Sequence, residues 1–154
     1  MIELKRILVP TDFSEPSAAA VKYAKEFVQA FGSSLHVLHV LEDPYIFAAT
    51  AEGYAAPPDF CADLEKNARV RLAEVVSAAE LQTLKTQVAL KKGSPFVEIV
   101  RYAKSEDIDL IVMGTHGRGP IAHMLMGSVA EKVVRKAPCP VLTVRHPEHE
   151  FVMP

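Results

Sequence analysis

Short apolar stretches alternate along the chain with segments whose apolar residues recur every three or four positions. The short stretches predict strands. The first and fourth are apolar at consecutive positions, Ile7-Leu8-Val9 and Leu110-Ile111-Val112-Met113, which indicates strands covered on both faces, as in a parallel sheet. The predicted strands are residues 4–10, 34–41, 86–90, 109–113 and 140–145.

Four amphipathic stripes between these strands predict helices. Gly32 follows the first stripe as a typical C-cap, Ser94-Pro95 opens the third as a typical helix start, and Pro138 stops the fourth. The resulting alternation of strand and helix predicts an open, doubly wound α/β sheet with right-handed crossovers. The stripes are Ala20, Ala24, Phe27 and Phe31; Leu64, Ala68, Leu72, Val75 and Ala79; Phe96, Ile99, Val100 and Ala103; and Ala130, Val133, Val134 and Ala137.

Residues 42–59, between the second strand and the second helix, break this alternation. The segment contains Pro44, Gly53, Pro57 and Pro58 and has no clear apolar period. Loops of this length are usually lids or mobile segments, and we expect one of these here. No internal repeat or Gly/Ser-rich linker divides the rest of the chain, so we expect one domain.

Composition narrows the class of protein. The chain has 154 residues, of which 49% are hydrophobic, and this suits one domain with a sizeable core. A net charge of −2 without a long basic run disfavours nucleic-acid binding through bulk electrostatics. No stretch reaches the ~18 uninterrupted apolar residues of a membrane span.

The N-terminus and the cysteines bear on the compartment. Met1 leads almost directly into the first predicted strand, so no signal peptide is expected. Cys61 and Cys139 fit no metal-binding spacing. We therefore expect two reduced thiols in a cytoplasmic protein.

The segment after the fourth predicted strand has the composition of an anion-binding loop. Gly114, Gly117 and Gly119 fall within six residues, and glycine lets backbone N–H groups turn inward at little steric cost. Arg118 adds a positive charge, and a helix that opens at Gly127-Ser128 presents unpaired N–H groups. Doubly wound sheets bind ligands at the carboxyl ends of their strands, where this segment lies. From the glycines alone, an ordinary tight turn is an equal alternative.

The same residues have a simpler structural role and partly match other phosphate-binding motifs. Ser128 and Glu131 match a capping box, a structural role that can coexist with ligand binding. A P-loop needs lysine where Pro120 stands, and the dinucleotide fingerprint needs glycines after the first strand, where residues 10–14 contain none. Neither a P-loop NTPase nor a typical NAD enzyme is therefore supported.

Three histidines need separate interpretations. His36 and His39 lie within the second predicted strand, where we expect packing or a satisfied hydrogen bond rather than metal binding. His116 lies in the glycine-rich loop. For this residue an N–H donor to a phosphate and a solvent-facing position are both open.

With these motifs, the sequence resembles the universal stress protein family of the ATP-binding type. The first-strand signature is Ile7-Leu8-Val9-Pro10-Thr11-Asp12-Phe13-Ser14, and Leu38-His39-Val40-Leu41 is similar to the family's second strand. The ATP motif G-x2-G-x9-G-[ST] is matched by Gly114, Gly117 and Gly127-Ser128. The resemblance predicts a domain over residues 1–145 and a C-terminal tail over 146–154.

The resemblance implies a site for ATP, or for ADP or AMP, at the carboxyl ends of the strands. The backbone of Val40 would meet the adenine, and Pro10 and Thr11 would shape the adenine wall. Asp12 would face the ribose or a magnesium or manganese ion near the phosphates. The other residues placed along the ribose and phosphate path are Met113, Gly114, Gly117, Gly127, Ser128 and Val129, with His116 and Arg118 as further candidates from the loop.

The resemblance also implies a Rossmann-like sheet of five parallel strands in the order 3-2-1-4-5. The fifth strand would then lie at an edge, and an open apolar edge favours aggregation unless it is covered. Family members commonly cover it with a second copy about a two-fold axis. We therefore expect a homodimer through residues 140–145.

The resemblance, together with these motifs, implies an adenine-nucleotide-binding regulatory protein of the stress response that acts as a nucleotide-dependent switch, with a protein partner of unknown identity. We expect slow or no ATP hydrolysis, because the loop has no lysine and no obvious residue to orient a water. A nucleotide-free homodimeric scaffold is the alternative. A phosphoacceptor role for Asp12 is disfavoured, since neither Thr11 nor Ser14 supplies the second acid that response regulators or dehalogenase-like phosphatases need.

Overall fold

A parallel sheet of five strands in the order β3-β2-β1-β4-β5 forms the middle layer of the computed structural model. This confirms the predicted fold class and strand order. The structure describes residues 1–42, 58–116 and 126–145. The strands are β1 (Arg6–Pro10), β2 (Ser34–Leu41), β3 (Gln87–Lys92), β4 (Leu110–Gly114) and β5 (Val141–Val144). The helices are α1 (Glu15–Phe31), α2 (Pro58–Val75), α3 (Ala78–Thr83), α4 (Pro95–Ser105) and α5 (Ser128–Lys136).

The central strand β1 is covered on both faces. Ile7, Leu8 and Val9 are all 0% exposed. Ile7 and Val9 pack into a cluster with buried residues of α1 and α2, and Leu8 packs into a second cluster with buried residues of α4 and α5. Because successive strand side chains point to opposite faces, a strand between two helical layers must be apolar at every position. This explains the consecutive apolar residues in the sequence.

The first predicted helix forms as expected apart from its last apolar residue. Ala20 and Ala24 are buried, and Gly32 closes the helix in the left-handed conformation (φ 68°) with its N–H donating to the Val28 carbonyl. Phe31 is 56% exposed and stacks on Phe27 rather than entering the core. The prediction from spacing that Phe31 belongs to the buried stripe of this helix is therefore wrong.

The second predicted stripe is divided between two helices, which corrects the single helix expected there. α2 ends at Val75, and the exposed Ala79 belongs to the short helix α3. Ser77 starts α3 with a capping box: its hydroxyl accepts from the Glu80 N–H at 3.2 Å, and the Glu80 carboxylate accepts from the Ser77 N–H at 2.9 Å. A satisfied cap at Ser77 favours a new helix start over continuation of α2.

No helix within residues 1–42, 58–116 and 126–145 is long and apolar enough to cross a membrane.

His36 of β2 is a buried polar residue in the layer beneath α4. Its side chain is 1% exposed, and its Nδ1 lies 3.0 Å from the Tyr102 hydroxyl. Within the described part of the chain, Nε2 has no hydrogen-bond partner. Burial lowers the pKa of His36, with an opposing effect from Glu106 and a smaller lowering by Arg6, and burial raises the pKa of Tyr102 to about 12. The expectation of packing and a hydrogen bond for this histidine is confirmed.

This burial predicts a loss of stability in mild acid. The pKa of His36 in the folded protein is below its unfolded value near 6.5. The contribution of this histidine to the free energy of unfolding is therefore fully present above that pH and is lost as the pH falls toward the folded pKa. The loss at this site approaches about 1.4 kcal/mol for each pH unit below 6.5 while the folded histidine stays neutral. Urea unfolding at pH 7.5 and 5.5 should show a smaller pH-dependent loss in His36→Leu than in the wild type. Equal losses in the two proteins would contradict this.

Candidate functional site

The carboxyl ends of β1, β2 and β4 meet at one edge of the sheet. β1 pairs with both neighbours in parallel, and the backbone pairing continues past the strand ends. The Thr11 N–H donates to the Leu38 carbonyl at 2.8 Å, and the Thr115 N–H donates to the Val144 carbonyl at 3.1 Å. The strand order reverses between β1 and β4, which is where doubly wound sheets form their ligand crevice.

The turn after β1, residues 11–14, is held by its own side chains. The Ser14 N–H donates to Asp12 Oδ1 at 3.0 Å, and the Ser14 hydroxyl donates to the same oxygen. The Phe13 N–H donates to Thr11 Oγ1 at 3.0 Å. Ser14 is also the N-cap of α1, and its side chain accepts from the Ser17 N–H. The residue that begins α1 therefore also orients the Asp12 carboxylate.

Thr11 joins this turn to β2. Its side chain is 6% exposed and lies 3.1 Å from the Ser17 hydroxyl, so the β1 end and the first turn of α1 share a buried hydrogen bond. Its carbonyl accepts from His39 Nδ1 at 2.7 Å. A carbonyl can only accept, so Nδ1 carries the proton. The predicted hydrogen bond of His39 is thereby confirmed.

Gly114, the last residue of β4, lies directly under the first turn of α1. A Cβ built on Gly114 would be 2.9 Å from the backbone carbon and oxygen of Pro16. Such a contact with backbone cannot be relieved by rotating a side chain. Glycine at this position therefore permits the close approach of α1 to the end of β4.

A backbone hydrogen bond connects the two ends of the segment between residues 114 and 127, hereafter the glycine loop. The Gly127 N–H donates to the Thr115 carbonyl at 2.5 Å, so the start of α5 lies beside the carboxyl end of β4. Thr115 is 4% exposed, and its hydroxyl is 3.0 Å from Nδ1 of the half-buried His116. Gly117 and Arg118 lie outside the described residues, as do most of residues 42–59 and the whole predicted tail.

The start of α5 differs from the predicted capping box. Gly127 is the N-cap, with φ −68° and ψ 156°, and Ser128 is the first helical residue. Glu131 makes an ion pair with Arg135 at 2.8 Å. The capping-box interpretation of Ser128 and Glu131 is wrong because the helix begins one residue earlier than that motif requires. No side-chain hydrogen bond caps α5 among the described residues.

Several of the candidate residues have side chains that pack into the core. Pro10 is buried, and the side chains of Val40, Met113 and Val129 pack into or against the α4–α5 cluster. Their apolar side chains are therefore occupied by the core.

Two neighbours of the site were not assigned a role from the sequence. The Phe13 ring lies 4.4 Å from the His39 ring, centroid to centroid, and the Arg71 guanidinium carbon lies 4.3 Å from the Phe13 centroid. Phe13 has a φ of 64°, which is unusual for a residue with a side chain. The position of Phe13 beside Asp12 in the sequence could have indicated that it lies near the site. Arg71 is far away in the sequence, and nothing in the pattern indicated its contact with Phe13.

Within the described residues, no group of three or more His, Cys, Asp and Glu side chains is arranged to hold a metal ion.

The sheet, its two helical layers and the residues at the strand ends define a doubly wound, Rossmann-like α/β protein with its candidate site at the topological switch point. The family model for the universal stress protein family matches residues 3–145, and the chain belongs to that family.

Individual relatives agree with this assignment. The chain is 35% identical over 147 residues to universal stress protein MJ0531 of Methanocaldococcus jannaschii, covering 95% of this chain and 85% of that protein. The solved structure of MJ0577 superposes with a TM-score of 0.79 at 31% identity, covering 96% of this chain and 99% of that one. A universal stress protein solved in complex with cAMP has a TM-score of 0.58 and 26% identity, covering 92% of this chain and 97% of that one.

The contact beneath α1 predicts that Gly114→Ala is destabilising. The added methyl group meets the Pro16 backbone, and overpacking of this kind costs about 1–3 kcal/mol. Urea unfolding should show the loss, and the amide resonances of Ser14, Glu15 and Ser17, the residues of this turn that have an N–H, should shift. Gly32→Ala is the comparison, since a Cβ there meets nothing within 4 Å but the φ of 68° is strained. An unchanged spectrum at residues 14–17 in Gly114→Ala would contradict the contact.

Proposed function

We propose that this protein is a regulatory adenine-nucleotide-binding protein of the stress response, with its site at the carboxyl ends of β1, β2 and β4. The observation that carries the proposal is the hydrogen bond between the Gly127 N–H and the Thr115 carbonyl, which holds the first turn of α5 at the end of β4. The unpaired N–H groups and the positive dipole end of a helix start stabilise phosphate. The cAMP complex of a related protein supports an adenine nucleotide as the ligand class.

The proposed placement of the nucleotide follows the strand ends. The Val40 backbone meets the adenine, with Pro10 and Thr11 beside it. Met113 and Gly114 line the path to the phosphates. The phosphate contacts are assigned to Gly117, Gly127, Ser128 and Val129, with His116 and Arg118 as further donors from the glycine loop.

The residues present fit a magnesium or manganese ion that arrives with the nucleotide. Two donors from Ser14, its N–H and its hydroxyl, orient the Asp12 carboxylate, and carboxylate oxygen is a preferred ligand of these ions. A bound metal would supply charge neutralisation at the phosphates. Asp12 would be its one protein ligand or would contact the ribose.

We further propose a nucleotide-dependent switch with slow or no hydrolysis. The glycine loop contains no lysine, and Glu131 is paired with Arg135 rather than free to orient a water. In this proposal residues 1–145 form the nucleotide-binding domain, residues 146–154 form a tail, and the protein acts in the cytoplasm on a protein partner of unknown identity. Weak hydrolysis and firm binding suit a state that persists long enough for a partner to detect it.

Gly127→Val tests the site. The φ of −68° at Gly127 is open to valine, so the substitution blocks the backbone's approach to phosphate without straining the chain. ATP affinity, measured by calorimetry with magnesium present, should fall at least about tenfold, which corresponds to about 1.4 kcal/mol. Lys136→Ala, in the exposed last turn of the same helix, should keep the wild-type affinity. Equal affinities for Gly127→Val and the wild type would refute the assignment.

The edge strand β5 supports a homodimer in the same proposal. β5 pairs with β4, and Val141, Leu142 and Thr143 are only half-buried in one chain. An uncovered apolar strand edge is a site for pairing with another copy. A protein that dimerises but does not bind nucleotide would support the alternative function, a nucleotide-free homodimeric scaffold, over the nucleotide-dependent switch.

Light scattering should give the mass of a dimer at tens of micromolar protein. Thr143→Lys places a charge within the proposed interface, residues 140–145, without removing an apolar side chain from the core, and should shift the mass toward the monomer. Val88→Lys is the control, because Val88 is an exposed residue of the opposite edge strand β3. A monomer mass for the wild type would count against the dimer.

A further inference from the structure

Three side chains from separate elements meet beside the proposed nucleotide site. The Arg71 guanidinium carbon, from α2, lies 4.3 Å from the centroid of the Phe13 ring. The His39 imidazole, from β2, lies 4.4 Å from the same centroid at an interplanar angle of 36°. Phe13 belongs to the turn after β1. We call these residues the Phe13 stack.

Phe13 occupies the position of the turn that most needs support from outside. Its φ of 64° is unfavourable for a residue with a side chain. It lies between Asp12 and Ser14, whose hydrogen bonds set the direction of the Asp12 carboxylate. The half-buried ring packs against the α1–α2 cluster, so contacts to this ring help to fix the backbone on either side of it.

His39 extends the stack toward the adenine side of the site. It precedes Val40 in β2, and its Nδ1 donates to the Thr11 carbonyl at 2.7 Å. One residue therefore contacts the Phe13 ring and also fixes the spacing between the ends of β1 and β2. These two ends are the ones assigned to the adenine and to the ribose or metal.

Arg71 reaches the stack from a helix that is itself anchored to α1. Its neighbour Leu72 is 3% exposed in the core. Lys25 of α1 donates to the Val75 carbonyl at the end of α2 at 3.0 Å and pairs with Glu80 at 2.9 Å. The packing of α2 against α1 therefore places the backbone of Arg71 within reach of Phe13.

We propose that Arg71 is a positioning residue for nucleotide binding, which holds the turn of residues 11–14 through a cation–π contact with Phe13. The inference rests on the proposed function and adds to it a coupling between the nucleotide site and α2. Because Arg71 is exposed to solvent, the contact has the strength of a surface cation–π pair. Its loss should weaken ATP binding by about threefold to fivefold.

The test compares ATP affinity, by calorimetry at fixed ionic strength, in matched variants. Arg71→Met keeps most of the aliphatic stem and removes the charge, and it should show the weakening. Arg71→Lys keeps a cation and should recover most of the affinity. Arg69→Met removes the same charge from the same helix, where Arg69 pairs with Glu65 at 2.9 Å, and should bind ATP like the wild type. This control separates positioning from long-range attraction for an anionic ligand.

A second measurement responds to coupling and not to fold stability alone. Since coupling between sites is reciprocal, ATP should slow amide hydrogen exchange in α2 of the wild type, and this effect should be smaller in Arg71→Met. The loss of ATP affinity in the double variant Phe13→Leu/Arg71→Met should be smaller than the sum of the losses, in free energy, of the two single variants. The reason is that each single change already removes the same contact between Arg71 and Phe13.

The outcomes are distinguishable. If Arg71→Met binds ATP as tightly as Arg69→Met, or if the two changes at Phe13 and Arg71 are additive, the positioning role is overturned while the proposed function stands. If the wild type does not bind ATP, both are overturned. Weakening in Arg71→Met with recovery in Arg71→Lys supports the positioning role.

Discussion

The close approach between α1 and the end of β4 is the constraint on which the rest of the site depends. Without a Cβ on Gly114, the backbone of Pro16 can rest on the strand. That contact sets how closely the first turn of α1 approaches the end of β4, beside the turn in which the N-cap Ser14 holds Asp12. The buried hydrogen bond between Thr11 and Ser17 joins α1 to the end of the neighbouring strand β1. The geometry of the polar residues is therefore a consequence of how a helix is seated on a sheet.

Much of the fold could be predicted because it follows from short-range patterns. The consecutive apolar residues of β1 and β4 indicated strands between two layers, and Gly32 ended α1 where a left-handed residue was expected. The strand order came from a family resemblance. Where local signals competed, the prediction was less accurate. An apolar repeat ran through Ala79, but the capping box of Ser77 and Glu80, which was also present in the sequence, started a new helix.

The location of the candidate site could be predicted where it depends on the path of the backbone. The glycine spacing and the strand ends identified the edge of the sheet at which Asp12 and Gly127 lie. Gly127 and Ser128 are both acceptable N-caps, and the sequence could not show which one the helix uses. The contact of Arg71 with Phe13 depends on how α2 lies against α1, and no periodicity carries that information.

The hydrogen bond between Thr115 and Gly127 also bears on how this family can change. It holds Thr115, at the end of β4, beside Gly127, the N-cap of α5, so these two elements are joined independently of the residues between them. Loops closed at a common base are points at which length can vary at low energetic cost. A change in the length of this loop therefore need not disturb the sheet that carries it.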